Sequence, residues 1–189
     1  MKCTLEKARA EAQKLQTEKR FLHSCAVAAQ ARHLAKCHHF DHVEKAEVAG
    51  MLHDICRDVE DDYLLQMQED FGIILNNVEK RSPQLWHAIV GSAYVEHTMH
   101  EGDEDIINAI HFHTTARANM SRLEKIVYVS DATSEDRDYP DVQFVRELAD
   151  MSLEAAMMYL LKRTFTDLLY HFEPLHSDSI AAYNELTRN

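Results

Sequence analysis

Side chains that can bind a metal ion recur inside apolar stretches of this sequence. The most compact pair is His53-Asp54, which ends an apolar run and sets a neutral nitrogen donor beside an anionic oxygen. Further imidazoles and carboxylates lie in other apolar runs: His23, His87, His113 and Asp131. A polar group in such a place is costly unless it is paired or ligated. Mixed imidazole and carboxylate ligands suit iron, manganese or zinc better than calcium or magnesium, so the pattern favours a transition-metal site.

Each of these residues has a simpler interpretation when taken alone. A single histidine in an apolar helical stripe is more often a hydrogen-bonded core residue than a ligand, and Asp131 alone could be a salt-bridge residue. Neighbours on a helix point about 100° apart, so one ion can take both His53 and Asp54 only near a helix end or bend. The joint pattern favours a shared metal, because several isolated buried polar groups would each need separate compensation.

The elements that must position these residues are predicted to be helices. The 189 residues include only 4 Gly and 3 Pro, and the composition favours helix over strand. Capping boxes are expected at Asp41/Glu44 and Ser121/Glu124, a helix start at Ser82-Pro83 and a helix end at Gly72. Periodicity predicts helices over residues 4–17, 18–37, 41–54, 61–71, from 83, 103–113, 123–132, 142–150, 152–172 and 178–187. No strand or internal repeat is indicated, so we expect an all-α, single-domain bundle in which inward side chains converge.

Composition narrows the classes of partner. The formal net charge is −12 with neutral histidines, whereas a nucleic-acid-binding surface needs clustered Lys and Arg. No apolar run approaches the roughly 20 residues of a membrane span, and the N-terminus lacks the apolar core of a signal peptide. The cysteines show no C-x-x-C spacing, which is typical of free thiols in a reducing compartment. We therefore expect a cytoplasmic protein that binds neither nucleic acid nor membrane.

The order of the metal-competent residues resembles that of the HD-domain metal-dependent phosphohydrolases. Within that superfamily the chain is similar to the YqeK type, the bacterial symmetrical diadenosine tetraphosphate hydrolases. The matches run from about His23 to Asn184 and are Leu52-His53-Asp54-Ile55, His87-Ala88-Ile89-Val90-Gly91, Ile110-His111-Phe112-His113-Thr114-Thr115, Met120-Ser121-Arg122-Leu123-Glu124-Lys125-Ile126, Arg137-Asp138-Tyr139-Pro140 and Leu175-His176-Ser177-Asp178. A His-Asp pair alone is a weak signal, whereas the chain-long series is specific.

The resemblance implies a fold, a cofactor and site residues. It implies one HD-type domain over 1–189, with a metal-site core at about 18–135 and C-terminal helices at 142–189 packed on it. It implies one iron ion on His23, His53, Asp54 and Asp131, with manganese or another divalent transition metal as the alternative. The implied catalytic residues are Asp54, His87 and His113. The implied nucleotide-binding residues are His23, His87, His113, Thr114, Arg137, Pro174, Leu175, His176, Ser177, Asp178 and Ser179.

The implied reaction is hydrolysis of diadenosine tetraphosphate to two ADP by a metal-activated water. A homodimer is left open. The alternatives are an HD-type phosphohydrolase for another nucleotide, a catalytically silent sensor that binds metal and ADP, and a helical scaffold. Other readings of single residues also stay open: His87 and His113 as ligands of a second metal, Thr114 as a helix cap, and Arg137 as a partner of Asp136 or Asp138.

The sequence departs from the family pattern at four places. Ala116 stands where the family usually has Gly, and Arg57 where it has Lys. Ala132-Thr133-Ser134-Glu135 replaces a more apolar segment that ends in Glu-Pro, and His176-Ser177 replaces a His-Pro. None of these changes removes an expected metal ligand. Ala116 and Thr133 bear on loop shape and substrate fit.

Overall fold

A computed structural model describes residues 2–188 of the chain. Over that range the protein consists of ten α-helices and two short 3-10 helices, with no strand. The α-helices are α1 (Leu5–Leu15), α2 (Glu18–Cys37), α3 (Val43–Leu52), α4 (Asp61–Asp70), α5 (Trp86–His97), α6 (Glu104–His111), α7 (Arg122–Thr133), α8 (Val142–Met151), α9 (Leu153–Tyr170) and α10 (Ser177–Leu186). The 3-10 helices, Glu79–Arg81 and Pro83–Leu85, come just before α5. The all-α prediction is confirmed.

Local capping chemistry explains several helix ends, and the observed ends correct two predictions. The capping box at Ser121 and Glu124 is present at the start of α7, and Gly72 follows α4 with a positive φ of 66°, which a glycine adopts without strain. The predicted box at Asp41 is wrong, because α3 begins at Val43 and no side chain caps it. Ser82-Pro83 opens a 3-10 turn without a side-chain cap, and α5 begins only at Trp86.

The central frame consists of α2, α3 and α7. α2 packs against both α3 and α7, and α6 packs against α3 and α7 from the other side. Gly50 makes the α2–α3 contact close: a Cβ at this position would lie 3.1 Å from the Ala28 Cα and from the Val27 carbonyl oxygen. The helices α2, α3 and α7 therefore pack against one another as a frame, and the C-terminal part of α3 lies against the middle of α2.

A single hydrophobic core holds this frame together. Its largest fully buried side chains come from α2, α3, α6, α7 and α9 and from the turn after α3: Leu34, Met51, Leu52, Ile55, Ile106, Ile110, Leu123, Ile126, Met157 and Leu161. The C-terminal helices continue the same core, since α9 packs on α7 and α8, and α10 packs on α9. The predicted metal-ligating residues are thus carried by elements whose apolar faces are fixed by burial.

Candidate metal centre and adjoining cavity

The four predicted ligands lie together between α2, α3 and α7, in two overlapping donor groups that share His53: one adds His23 and Asp131, the other Asp54 and His113. His23 lies in α2, Asp131 in α7, His53 caps the C-terminal end of α3, and Asp54 begins the turn that follows. The His23 Nε2 lies 3.0 Å from the Asp131 Oδ1. The His53 Nε2 lies 3.4 Å from the Asp54 Oδ2 and 3.6 Å from the Asp131 Oδ1. Because the His-Asp pair stands at a helix end, both of its side chains can reach the same point.

Hydrogen bonds at the far nitrogen orient both imidazoles. The Nδ1–H of His53 donates to the Gly50 carbonyl at 2.7 Å, so its Nε2 turns toward the carboxylates, where it is buried without a hydrogen-bond partner. The Nδ1 of His23 lies 2.7 Å from the Asp136 Oδ2, and the Ser134 hydroxyl donates to the other Asp136 oxygen at 2.7 Å. A partner on Nδ1 that leaves Nε2 for the ion is the usual arrangement of metal-ligating histidines. The residues therefore fit a bound metal.

The electrostatics of the same four residues favour a cation. Burial would lower the pKa of His53, but Asp54 and Asp131 outweigh it and raise the pKa to about 10. Burial opposes ionisation of Asp54 and Asp131, yet His53 and the neighbouring imidazoles hold the pKa of both carboxyls well below the usual range. The two carboxylates therefore make this pocket favourable for positive charge.

His87 and His113 approach the same carboxylate from the opposite side. Their Nε2 atoms lie 3.1 and 3.5 Å from the Asp54 Oδ1 and 3.3 Å from each other. The His113 Nδ1–H donates to the Ile110 carbonyl at 2.7 Å, so its Nε2 also faces Asp54. Burial lowers the pKa of His87 to about 4, which keeps this imidazole neutral near pH 7. Asp54 thus bridges two groups of donors.

Two arginines contact the carboxylates of the centre. The Arg20 guanidinium donates to the Asp54 Oδ2 at 2.7 Å. The Nε–H of Arg137 donates to the Asp131 carbonyl oxygen at 2.7 Å, and its terminal NH2 donates to the Asp131 carboxylate. The main partner of Arg137 is therefore Asp131, and not Asp136 or Asp138 as the alternative interpretation had it.

An open cavity of about 620 Å³ adjoins the centre. Its walls include Asp54, His87, His113, Thr114 and Asp131 from the centre and its surroundings. Four arginines, Arg20, Arg57, Arg137 and Arg163, also line it, although the whole chain carries a net charge of −12. The cavity thus combines a site for a cation with positive side chains that suit an anionic ligand.

The C-terminal segment 174–179 forms part of the cavity wall through Pro174, His176 and Ser179. The His176 Nδ1 accepts from the Asp178 backbone N–H at the start of α10, while its Nε2 lies 3.2 Å from Glu79. The Ser179 hydroxyl donates to the Thr115 carbonyl at 2.6 Å. Asp178 lies on a smaller adjoining recess beside Thr114. Nucleotide contacts by Leu175 and Ser177 stay predictions.

Sequence reasoning missed several residues of this site. Arg20 stands three residues before His23 on the same helical face, and that spacing was a usable signal. Asp136 contacts His23 from a polar loop, where nothing in the pattern indicated its partner. Arg163 reaches the cavity from α9, with its guanidinium carbon 4.1 Å from the centre of the Tyr139 ring, and no sequence signal predicted this placement.

Comparison with known proteins agrees with this geometry. The pattern of the HD domain matches residues 20–136. Two curated relatives carry the name symmetrical bis(5'-nucleosyl)-tetraphosphatase: the protein of Halalkalibacterium halodurans is 35% identical and that of Bacillus subtilis 34%, each over 170 residues and 90% of both chains. A crystal structure from Clostridium acetobutylicum, described as a predicted HD superfamily hydrolase involved in NAD metabolism, superposes with a TM-score of 0.93 at 31% identity and covers 99% of both chains.

Within residues 2–188, none of the helices combines the length and apolar character needed to cross a bilayer. The cytoplasmic location and the homodimer stay predictions.

The domain match, the relatives and the whole-chain structural likeness agree with one another. The chain therefore belongs to the HD-domain family of hydrolases, where it groups with the proteins named symmetrical bis(5'-nucleosyl)-tetraphosphatase.

Proposed function

We propose that this protein hydrolyses diadenosine tetraphosphate at the centre of its phosphate chain to give two ADP. One observation carries the proposal. His23, His53, Asp54 and Asp131 converge beside an arginine-lined cavity, and the buried Nε2 of His53 has no hydrogen-bond partner. The names of the Halalkalibacterium halodurans and Bacillus subtilis relatives support the substrate and the symmetrical cut.

The metal would be held by His23, His53, Asp54 and Asp131. Two imidazoles and two carboxylates suit iron, with manganese or zinc as the alternatives. When bound, the ion supplies polarisation of a phosphoryl oxygen and a water of lowered pKa. Asp136 would act through His23 as a positioning residue, because a carboxylate on Nδ1 orients the ring.

The arginines would bind the phosphate chain. Guanidinium groups present paired N–H donors that match phosphate oxygens. Arg137 and Arg20 are already directed at the carboxylates of the centre, so a phosphate next to the ion would meet positive charge on both sides. Arg57 and Arg163 are available farther along the cavity wall.

His87 and His113 would serve the reacting phosphate from the other side of Asp54. The low pKa of His87 suits a neutral hydrogen-bond partner for a phosphate oxygen. We assign protonation of the leaving oxygen to His113, whose Nε2 faces the Asp54 carboxylate at 3.5 Å. Thr114 and the segment 174–179 would close over the nucleotide. The hydrogen bond from Ser179 to the Thr115 carbonyl holds that segment beside Thr114.

The test is product analysis with anaerobically prepared protein of measured metal content. Hydrolysis of diadenosine tetraphosphate in ¹⁸O-water should give ADP as the only nucleotide, with the label in the terminal phosphate of one product molecule. AMP with ATP as products would contradict the symmetrical cut. Tight ADP binding without hydrolysis under any divalent metal would favour a sensor.

A further inference from the structure

A second cluster of metal donors lies at the other end of α2. His33 and Cys37 stand one helical turn apart on α2, and Asp150 comes from the last turn of α8. The His33 Nε2 lies 2.8 Å from the Asp150 Oδ1 and 3.5 Å from the Cys37 Sγ. One donor atom from each residue lies within 4.8 Å of the others. An imidazole, a thiol and a carboxylate thus face one point on the surface.

The helix ends that carry these donors are fastened together independently of the cluster. The His38 Nε2–H donates to the Ala149 carbonyl at 2.6 Å, and Ala149 directly precedes Asp150. The Arg122 guanidinium donates to the His38 carbonyl at 2.9 Å, which ties the same junction to α7. The donors are therefore brought together by the fold, and not only by their own attraction.

We propose that His33, Cys37 and Asp150 bind zinc or a similar divalent ion of borderline softness. Thiolate, imidazole and carboxylate are the usual zinc ligands, and a tetrahedral ion with bond lengths of about 2.0–2.3 Å sets its ligands about 3.4–3.7 Å apart. The sulfur–nitrogen distance already has this value, and the nitrogen–oxygen pair must open by less than about 1 Å. The remaining position takes a water.

The charge of the three donors agrees with this assignment. A thiolate, a carboxylate and a neutral imidazole together carry two negative charges, which a divalent ion neutralises. The central metal site contains no thiol, so the two sites differ in the metals that they favour.

The cluster is separate from the site of the proposed reaction. His23 and His33 stand ten positions apart on α2, which corresponds to about 15 Å along the helix axis. The expected consequence of binding is a firmer junction between α2 and α8, seen as a higher melting temperature. Hydrolysis should not depend on it.

The experiment uses the full chain with its central metal already loaded, to which Co(II) or Zn(II) is added. One equivalent of Co(II) should produce a thiolate-to-cobalt charge-transfer band in the near ultraviolet, and Zn(II) should displace it. Cys37→Ser should abolish the band, and Asp150→Asn should weaken cobalt binding. Cys25→Ser, a change in the same helix, is the matched control and should retain the band.

Hydrolytic activity should stay unchanged in Cys37→Ser. The proposal fails if no thiolate band forms, or if the band persists in Cys37→Ser. It also fails if the band disappears in Cys25→Ser. Because the readout is spectroscopic, failure here is distinguishable from failure of the proposed hydrolysis.

Discussion

The two donor clusters on α2 are built from similar groups but differ in their surroundings. The central cluster is enclosed: His53 is fully buried, Asp54 is 6% exposed, and each imidazole has a second partner on its far nitrogen. In the outer cluster, the His33 and Asp150 side chains are each 50% exposed. Enclosure strengthens electrostatic interactions and fixes geometry. Of the two clusters, the central one combines burial, orientation and an adjoining cavity, which are the features that chemistry at a phosphate requires.

The largest expected effect is the loss of metal and activity when Asp54 of the central cluster is replaced, which replacement of Asp150 in the outer cluster should not cause. Asp54→Ala should lose metal and hydrolytic activity together, by on the order of a thousandfold or more, because Asp54 faces both the metal ligands and the His87–His113 pair. Helical circular dichroism should largely persist. Metal content and steady-state rates measure this, with Asp150→Ala as the control that keeps its activity. Hydrolysis by a metal-free Asp54→Ala protein would show that the mechanism is wrong.

The second largest expected effect is the pH dependence of metal affinity at the central site and of the stability of the metal-free protein. A proton and a metal compete for the Nε2 of His53, whose pKa is raised to about 10, so metal affinity should rise by about tenfold per pH unit between pH 7 and 9. The same proton stabilises the metal-free fold. This contribution is complete below the ordinary pKa of 6.5 and is lost as pH rises through 10. Competition titrations with a chelator, together with melting curves, test both trends; an affinity independent of pH would contradict them.

Asp136→Asn tests how the ring of His23 is oriented. An amide that donates to Nδ1 would move the ring proton to Nε2, where the ion must bind, so metal affinity should fall by about 10–100-fold. Asp138→Asn, in the same loop, is the matched control and should leave affinity unchanged. Equal metal affinities in both variants would exclude a positioning role for Asp136.

Arg137→Ala addresses substrate binding at the cavity wall. Loss of charge-assisted hydrogen bonds should raise KM by about tenfold or more. Metal content should stay unchanged, because the Asp131 carboxylate keeps His23 and His53 as neighbours. Michaelis constants and metal analysis measure the two quantities. If Arg137→Ala lost its metal but kept its substrate affinity, Arg137 would support the metal and not bind the substrate.

The smallest expected effect is on stability, and it concerns Ala116 in the loop beside the cavity. In the described part of the chain, the outer cluster has no adjoining cavity loop of this kind. Ala116 has a φ of 56° and is fully buried. Ala116→Gly should change the free energy of unfolding by less than about 1 kcal/mol, because relief of left-handed strain offsets the lost methyl burial. Ala116→Val should destabilise by more than about 2 kcal/mol, since a β-branched residue tolerates this φ poorly. Equal free energies of unfolding for the two variants would show that the backbone at Ala116 is not strained.

The sequence predicted most of the frame, because helix periodicity, Gly72 and the Ser121–Glu124 capping box are local signals. The polar groups in apolar runs also indicated a shared site for the six residues His23, His53, Asp54, His87, His113 and Asp131. The choice of His23, His53, Asp54 and Asp131 as the ligands came from the family resemblance. The start of α3 was misplaced at Asp41, because a capping pattern does not determine whether the side chain turns toward the helix.

Contacts between residues that are far apart in the sequence could not be predicted from local sequence patterns. Asp136 contacts His23 and Arg163 reaches the cavity only through the packing of distant segments. The alternative interpretation paired Arg137 with Asp136 or Asp138 in its own loop, whereas the fold brings it to the carboxylate of Asp131. The His33–Cys37–Asp150 cluster likewise depends on α8 lying beside the end of α2.

The central claim is that the four converged side chains hold the ion on which hydrolysis depends. X-ray absorption spectroscopy of the anaerobically purified protein tests it most directly, when it is combined with product analysis of the same sample. The account predicts a first shell of two imidazole nitrogens with carboxylate oxygens, no sulfur ligand at the catalytic ion, and loss of both ion and ADP formation in Asp54→Ala. A metal-free protein that still forms ADP, or a catalytic ion coordinated by sulfur, would contradict the account.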